Sequence, residues 1–321
     1  MNRMIFVNPQ WQGGADTATY YGAKELAEFY LHDVEYMEAP VSLDPITYPT
    51  AASGAPNDSA SSRYDAQNDP TPDSQNNTVR KHTAIIGQDA ILRQTQDALD
   101  LLRFAKRGKS LTIGGSCDAD IAPILYLNEH FSDDLAVLWL DAHGDINTPS
   151  GSGSKLFYGM PVRTLLGESD GIFDHIITAP LTKDQIINAG GRVLDQAEMS
   201  YYSENDIPLI PFGNFSSDTS PSNSDVQHKT FDRFADAICD AVRKTGKRRL
   251  YIHLDIDVFD PSDEISTACP EPNGLPAEYI MPLMERLDRE FHLTGLGIFQ
   301  YKPCGRKSDI LDRVIDFGLN F

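Results

Sequence analysis

The chain has 321 residues, 40% of them hydrophobic, and 27 basic against 47 acidic side chains give a formal net charge of −20. That length suffices for a substantial core without covalent staples, while the acidity argues against nucleic acid or an anionic membrane as partner, since both need positive surface. Four cysteines in no CxxC pair, a start too short in apolar residues for a signal peptide and no membrane-length apolar stretch point to a reduced, cytoplasmic protein.

Along the chain, Met4-Ile5-Phe6-Val7 reads as a short strand, Gly13-Gly14 as a turn and residues 17–30 as a helix, with a second strand expected over 34–37. From 42 to 78 the composition shifts to Pro, Ser, Asn, Asp and Ala and reads as a surface insertion. The spacing predicts a helix over 90–107 and a strand over 110–113, which runs into Gly114-Gly115-Ser116-Cys117-Asp118-Ala119-Asp120. A helix over 119–130 follows, with Asp118 as its expected cap. Next come a strand over 135–141, a Ser/Gly loop over 147–155, a helix starting near Gly159 and strands near Ile176 and Val193. A second polar insertion over 213–227 precedes a helix over 231–244, a strand over 250–255, a helix over 276–291, a strand over 296–299 and a last helix. Strands alternating with helices predict an α/β fold, one domain over 1–321 whose mainly parallel sheet is covered on both faces.

Two stretches carry the chemistry. Asp141, His143 and Asp145 follow the apolar run Leu135-Ala136-Val137-Leu138-Trp139-Leu140, and spacing by two puts them on one face of extended backbone. His253, Asp255 and Asp257 repeat the design and are closed by Asp260-Pro261. Open α/β sheets bind ligands at such strand ends. A lone DxD is common at caps, and a lone histidine at a strand end is more often structural than a ligand. The ordered pair of clusters, each after an apolar strand, is not expected by chance. Carboxylates with an imidazole suit hard or borderline divalent ions, manganese high among them. Two ions held close can turn water into a nucleophile at neutral pH.

Gly114-Gly115-Ser116-Cys117, the run from Asp141 to Pro149, Gly159-Met160-Pro161-Val162 and the run from Leu254 to Pro261 together resemble the ordered signatures of the ureohydrolase (arginase/agmatinase) family. The resemblance implies a three-layer αβα fold, a binuclear Mn2+ centre with two ions per chain, a small-molecule substrate and a homo-oligomer. It implies that Asp141 and Asp255 bridge the ions, that Cys117 and Asp145 complete one shell, and that His143 and Asp257 complete the other. Asn147 and Ser154 match positions that in arginases bind the amino-acid end of the substrate.

Three positions depart from the family pattern. Cys117 stands where a histidine ligand is usual, and its softness admits Zn2+ or Fe2+ in place of Mn2+. A cysteine there resembles the hydroxyarginine hydrolase of D-cycloserine biosynthesis. Tyr158 replaces a histidine assigned to proton transfer or substrate positioning, and a tyrosine, with an ordinary pKa of about 10, is a poor shuttle near neutrality. His253 is then the alternative acid/base, a partner of a ligand, or a structural residue. Gln300 replaces a glutamate that pairs with the guanidinium, which removes a charge-assisted contact.

The leading expectation is a binuclear-manganese hydrolase that cleaves a C–N bond of a guanidino or N-hydroxyguanidino compound and releases urea or a urea derivative. Asp145, His253 and Tyr158 are its candidate catalytic groups, and Asn147, Ser154 and Gln300 its substrate contacts. The alternatives are a formimino-type amidine hydrolase and a non-catalytic protein on the same scaffold.

Overall fold

The apolar runs that alternate with helical segments become the strands of one sheet in the structure, a computed structural model that describes residues 3–48, 85–132, 134–215 and 224–321. The strands are β1 (Arg3–Asn8), β2 (Met37–Glu38), β3 (Lys109–Gly114), β4 (Leu135–Leu140), β5 (Ile186–Ala189), β6 (Leu209–Ile210), β7 (Arg249–Asp255) and β8 (His292–Phe299). They pair in the order β2-β1-β3-β8-β7-β4-β5-β6, and every pairing is parallel. Helices α1 (Thr17–Tyr30), α2 (Gln88–Ala105), α3 (Ile121–Phe131), α4 (Pro161–Leu165), α5 (Gln196–Glu204), α6 (Ser224–Lys244), α7 (Ile280–Glu290) and α8 (Asp309–Asn320) supply the crossovers.

Period-two side chains divide the interior into two cores. On β4, Ala136, Leu138 and Leu140 pack into one core with residues of α1, α6, α7 and α8. Leu135, Val137 and Trp139 face the other, which takes in residues of α2, α3, α4 and α5. Continuous apolar strands are what a sheet covered on both faces requires, and the three-layer α/β expectation holds. No helix among the described residues is long and apolar enough to cross a membrane.

The order of the strands positions the site. Because β8 and β7 lie between β3 and β4, the C-terminal ends of four central strands open side by side. Trp139 is opposite His253 and Leu140 opposite Leu254, so the two sequence clusters leave adjacent strands in register. Ile113 is opposite Ile298, which brings the Cys117 turn beside Gln300.

Several expectations are corrected. The second strand is only Met37–Glu38 and does not begin at 34. Ile176 lies in a hydrogen-bonded turn, its amide donating to Phe173 O at 2.9 Å, so its burial comes from a turn packed into the core. Val193 makes only an isolated bridge with His143, and the strand of this region is β5, launched by a Thr182/Gln185 capping box. Asp118 does not cap a helix. A 3-10 turn over Cys117–Asp120 precedes α3, and the Asp118 carboxylate instead accepts from Gln10 and Ser116. Helix α6 begins at Ser224, within the expected polar insertion over 213–227, of which 216–223 lie outside the described residues. Most of the 42–78 insertion lies outside them too.

Candidate metal centre

Two donor clusters form where the central strands end. In the first, Cys117, Asp141, Asp145 and His253 each offer an atom within 4.8 Å of the others; in the second, Asp141, His143 and Asp257 do so. Asp141 belongs to both. Asp255 stands between them: its Oδ2 accepts from Cys117 Sγ at 2.9 Å and its Oδ1 from the Asp257 amide at 2.7 Å.

Backbone geometry aims these groups. The Asp141 carboxylate accepts from the His143 amide at 2.7 Å through Oδ1 and from the Trp139 indole at 2.9 Å through Oδ2. The Ala142 amide donates to Asp257 Oδ1 at 3.1 Å, which ties the two sequence clusters together. Asp145 has φ +51° and Gln300 φ +64°, left-handed conformations uncommon for residues other than glycine and found most often where a site demands them. Gln300 directs its amide at Cys117 Sγ, 3.4 Å away.

The charge balance requires explanation. Asp118, Asp120, Asp141, Asp145, Asp255 and Asp257 are each at most 3% exposed. Among the described residues none of them forms a salt bridge with lysine or arginine; the imidazoles of His143 and His253 lie at ion-pair distance, and Arg192 acts on Asp257 and Asp141 without such a contact. Burying carboxylates without compensation is costly, and such groups pick up protons or bind cations. Burial, reinforced by the charge of Asp141, raises the pKa of Asp145, and burial with Asp257 and Asp141 raises that of Asp255. Burial, with Asp255, Asp145 and Asp141 adding to it, holds the Cys117 thiol protonated well above its usual range. At His143 burial disfavours the cation, but Asp257 and Asp141 outweigh it and the net shift is upward. His253 is driven down to about 3 by burial and is neutral at physiological pH. The Asp145 Oδ2 and His253 Nε2 atoms are buried and have no hydrogen-bond partner among the described residues. A site of oxygen, nitrogen and sulfur donors with uncommitted lone pairs and surplus negative charge fits divalent cations.

His143 and the other residues expected at the site have the following surroundings. His143 is partly open to solvent, its side chain 24% exposed, with Nδ1 3.0 Å from Asp257 and Nε2 3.8 Å from Glu271. Asn147 donates to Asp195 Oδ2 at 2.8 Å. Ser154 is half-buried; its hydroxyl accepts from the Leu156 amide at 3.2 Å and contacts Ser152. Tyr158 donates its amide to Gly13 O at 3.2 Å, and its ring lies against Gly14.

Four residues at the site escaped the sequence reading. Asp120 holds His253 Nδ1 at 2.8 Å. Glu198, pushed up to about 7 chiefly by burial, accepts from the Ile146 amide within the first sequence cluster. Its Asp195-x-x-Glu198 capping box was detectable in the sequence. Arg192 spans the outer wall, donating to Asp257 O and Glu271 O at 2.9 Å each and to Pro272 O at 3.0 Å. Glu271 lies in a loop with no periodicity to reveal it.

Known proteins resemble this chain in sequence and in fold. The profile of the Arginase family matches residues 54–310. An arginase of Staphylococcus aureus strain MRSA252 is 23% identical over 72% of this chain and 71% of its own length. The copy from strain COL aligns over only 60% of its length, so the chain spans less than two thirds of that relative. The crystal structure of Entamoeba histolytica arginase in complex with L-ornithine superposes with a TM-score of 0.74 at 17% identity, covering 99% of this chain and 96% of that one. Formimidoylglutamase from Bacillus subtilis superposes with a TM-score of 0.64 at 14% identity, covering 99% and 84%. At these identities the structural likenesses establish the fold.

Proposed function

The chain belongs to the arginase family, and we propose that this family hydrolase cleaves a C–N bond of a guanidino or N-hydroxyguanidino compound, releasing urea or a urea derivative. The observation that carries the proposal is the pair of donor clusters joined at Asp141, whose buried carboxylates form no salt bridge with lysine or arginine among the described residues. When bound, a pair of divalent ions supplies a nucleophile from water at neutral pH and polarises the group under attack. Cys117, Asp141, Asp145 and Asp255 would hold one ion and Asp141, His143, Asp255 and Asp257 the other. Manganese is the expected metal, with zinc or ferrous iron admitted by the thiol. Oligomeric assembly and a cytoplasmic location belong to the same proposal.

The protein's own groups divide the remaining work. Trp139 fixes one oxygen of Asp141, so that carboxylate does not swing. Asp145 Oδ2 has no hydrogen-bond partner among the described residues, and Asp145 is the group proposed to receive a proton and pass it to the departing amine. Asn147, braced by Asp195, and Ser154 would hold the far end of the substrate. Tyr158 contributes a hydroxyl for positioning. Gln300 presents an amide where a carboxylate would pair with a full cation, which favours a less basic substrate such as an N-hydroxyguanidine. The same amide, with the likeness to a formimidoylglutamase, supports a formimino compound as the second reading.

The test is product analysis on full-length protein loaded with manganese or zinc and offered arginine, N-hydroxyarginine, agmatine and formiminoglutamate. Urea or hydroxyurea from a guanidino substrate is expected. Formamide from the formimino substrate alone would move the assignment to the second reading. No hydrolysis by protein that retains its metal would leave a non-catalytic binding role.

A further inference from the structure

We infer that His253 is itself a metal ligand, donating Nε2 to the ion that Cys117, Asp141 and Asp145 surround, and that Asp120 and Tyr251 exist in this chain to orient it. The inference rests on the metal-centre reading above and adds a ligand to it.

The imidazole is held on three sides. It stacks on Trp139 with ring centroids 3.5 Å apart and planes 6° from parallel, and on Phe299 at 4.6 Å and 11°. The clamp follows from the register, since Trp139 is the cross-strand neighbour of His253 on β4 and Gly297 its neighbour on β8. A Cβ at Gly297 would come within 2.4 Å of the Phe299 ring, so glycine there leaves room for the ring to lie flat against the imidazole. Gly295 does the same for the Tyr251 ring, which a Cβ would meet at 2.2 Å. Tyr251 then donates its hydroxyl to Asp120 Oδ1, while Asp120 Oδ2 lies 2.8 Å from His253 Nδ1.

That arrangement assigns the tautomer. Asp120 already accepts from a phenol and is best satisfied by a second donor, so the imidazole proton sits on Nδ1 and the lone pair on Nε2. Nε2 is fully buried and has no hydrogen-bond partner among the described residues. It shares its neighbourhood with a thiol and two carboxylates that lie within 4.8 Å of one another. A buried lone pair facing carboxylate oxygens is repulsive unless a cation lies between them. A carboxylate on one imidazole nitrogen and a metal on the other is the common way in which proteins orient a ligating histidine. With Asp255, which touches Cys117, the donor set becomes one sulfur, one nitrogen and the oxygens of three carboxylates. That composition suits a borderline dication such as zinc or ferrous iron better than manganese. On binding, the Cys117 thiol gives up its proton to solvent.

The experiment uses full-length protein labelled with 15N in its imidazoles, titrated with zinc and followed by long-range proton–nitrogen correlation. The His253 signals are assigned by their loss in His253→Gln. We expect Nε2 of His253 to move to the metal-bound position as zinc is added, with Nδ1 remaining protonated. Asp120→Asn should weaken zinc binding at this cluster about 10–100-fold, the usual cost of losing an outer-shell partner, and disturb the Nδ1 signature. If the His143 signals respond while those of His253 stay fixed, the inference is overturned and the metal-centre reading stands. If no histidine responds and no zinc is retained, both fall together. The titration of the wild-type chain decides the matter even if a variant fails to fold.

Discussion

The two donor clusters share Asp141 yet differ in depth, donor type and support. The deep one is sealed: Cys117, Asp141, Asp145 and His253 are each no more than 3% exposed, and its imidazole is clamped between aromatic rings. The outer one ends on His143, whose side chain is 24% exposed and whose far nitrogen lies 3.8 Å from Glu271. One is preorganised by packing, the other by loops that Arg192 ties together. On the proposed reading, the rigid mixed-donor cluster would set which ion binds. On the same reading, the open cluster of oxygen donors and one imidazole would be where exchange with solvent and approach of substrate take place.

Removing the shared group should have the largest effect. Asp141→Ala is expected to strip both clusters, reducing metal content by plasma emission to background. Its loss of activity should exceed the roughly 10–100-fold associated with outer-shell partners. Retention of one ion would mean that the clusters are independent and that Asp141 is not their junction. The next largest effect should come from Cys117→His, which exchanges a soft donor for a borderline one. Competition between zinc and manganese is expected to shift toward manganese by more than about tenfold, again beyond an outer-shell change. An unchanged preference would show that the thiol does not select the ion.

How much of this was legible in the sequence depended on range. The strand-end clusters at Asp141 and Asp255 were readable because period-two spacing after an apolar run is a local signal. Thr17–Tyr30 was readable for the same reason at helical period. Leu209–Ile210 and Met37–Glu38 are too short to carry a period, and their pairing is decided by neighbours. Asp118 had the position of a helix cap, but two side-chain donors, one of them 108 residues away, drew it elsewhere. The pairing of Asp120 with His253 spans 133 residues and exists because only β8 separates β3, whose following turn carries Asp120, from β7 in the sheet. No local pattern announces such a contact.

Acidity separates the metal-free protein from the loaded one. In the metal-free chain burial raises the carboxylates of Asp145 and Asp255, and carries Asp118 to about 6 and Glu198 to about 7. A carboxylate raised in the folded state binds more protons there than in the unfolded chain, so stability is full below the unfolded value and declines as pH rises through the folded one. The metal-free melting temperature should therefore fall between about pH 4, where unfolded carboxylates titrate, and pH 7. Bound cations replace the protons of Asp145 and Asp255, so the loaded protein should lose less over the same window and its metal affinity should climb with pH. Parallel melting curves with and without metal would contradict the charge argument.

The smallest effect sharpens the contrast most. Glu271 stands to His143 as Asp120 stands to His253, a carboxylate behind an imidazole, but at 3.8 Å and 29% side-chain exposure, against 2.8 Å and full burial. Partly exposed ion pairs contribute about 0–1 kcal/mol, which corresponds to less than about tenfold in affinity. Glu271→Gln should thus weaken the outer ion less than tenfold by calorimetry, with a dependence on salt that Asp120→Asn lacks. If the two substitutions cost the same, depth does not distinguish the clusters, and the aromatic clamp around His253 has a purpose other than holding a ligand.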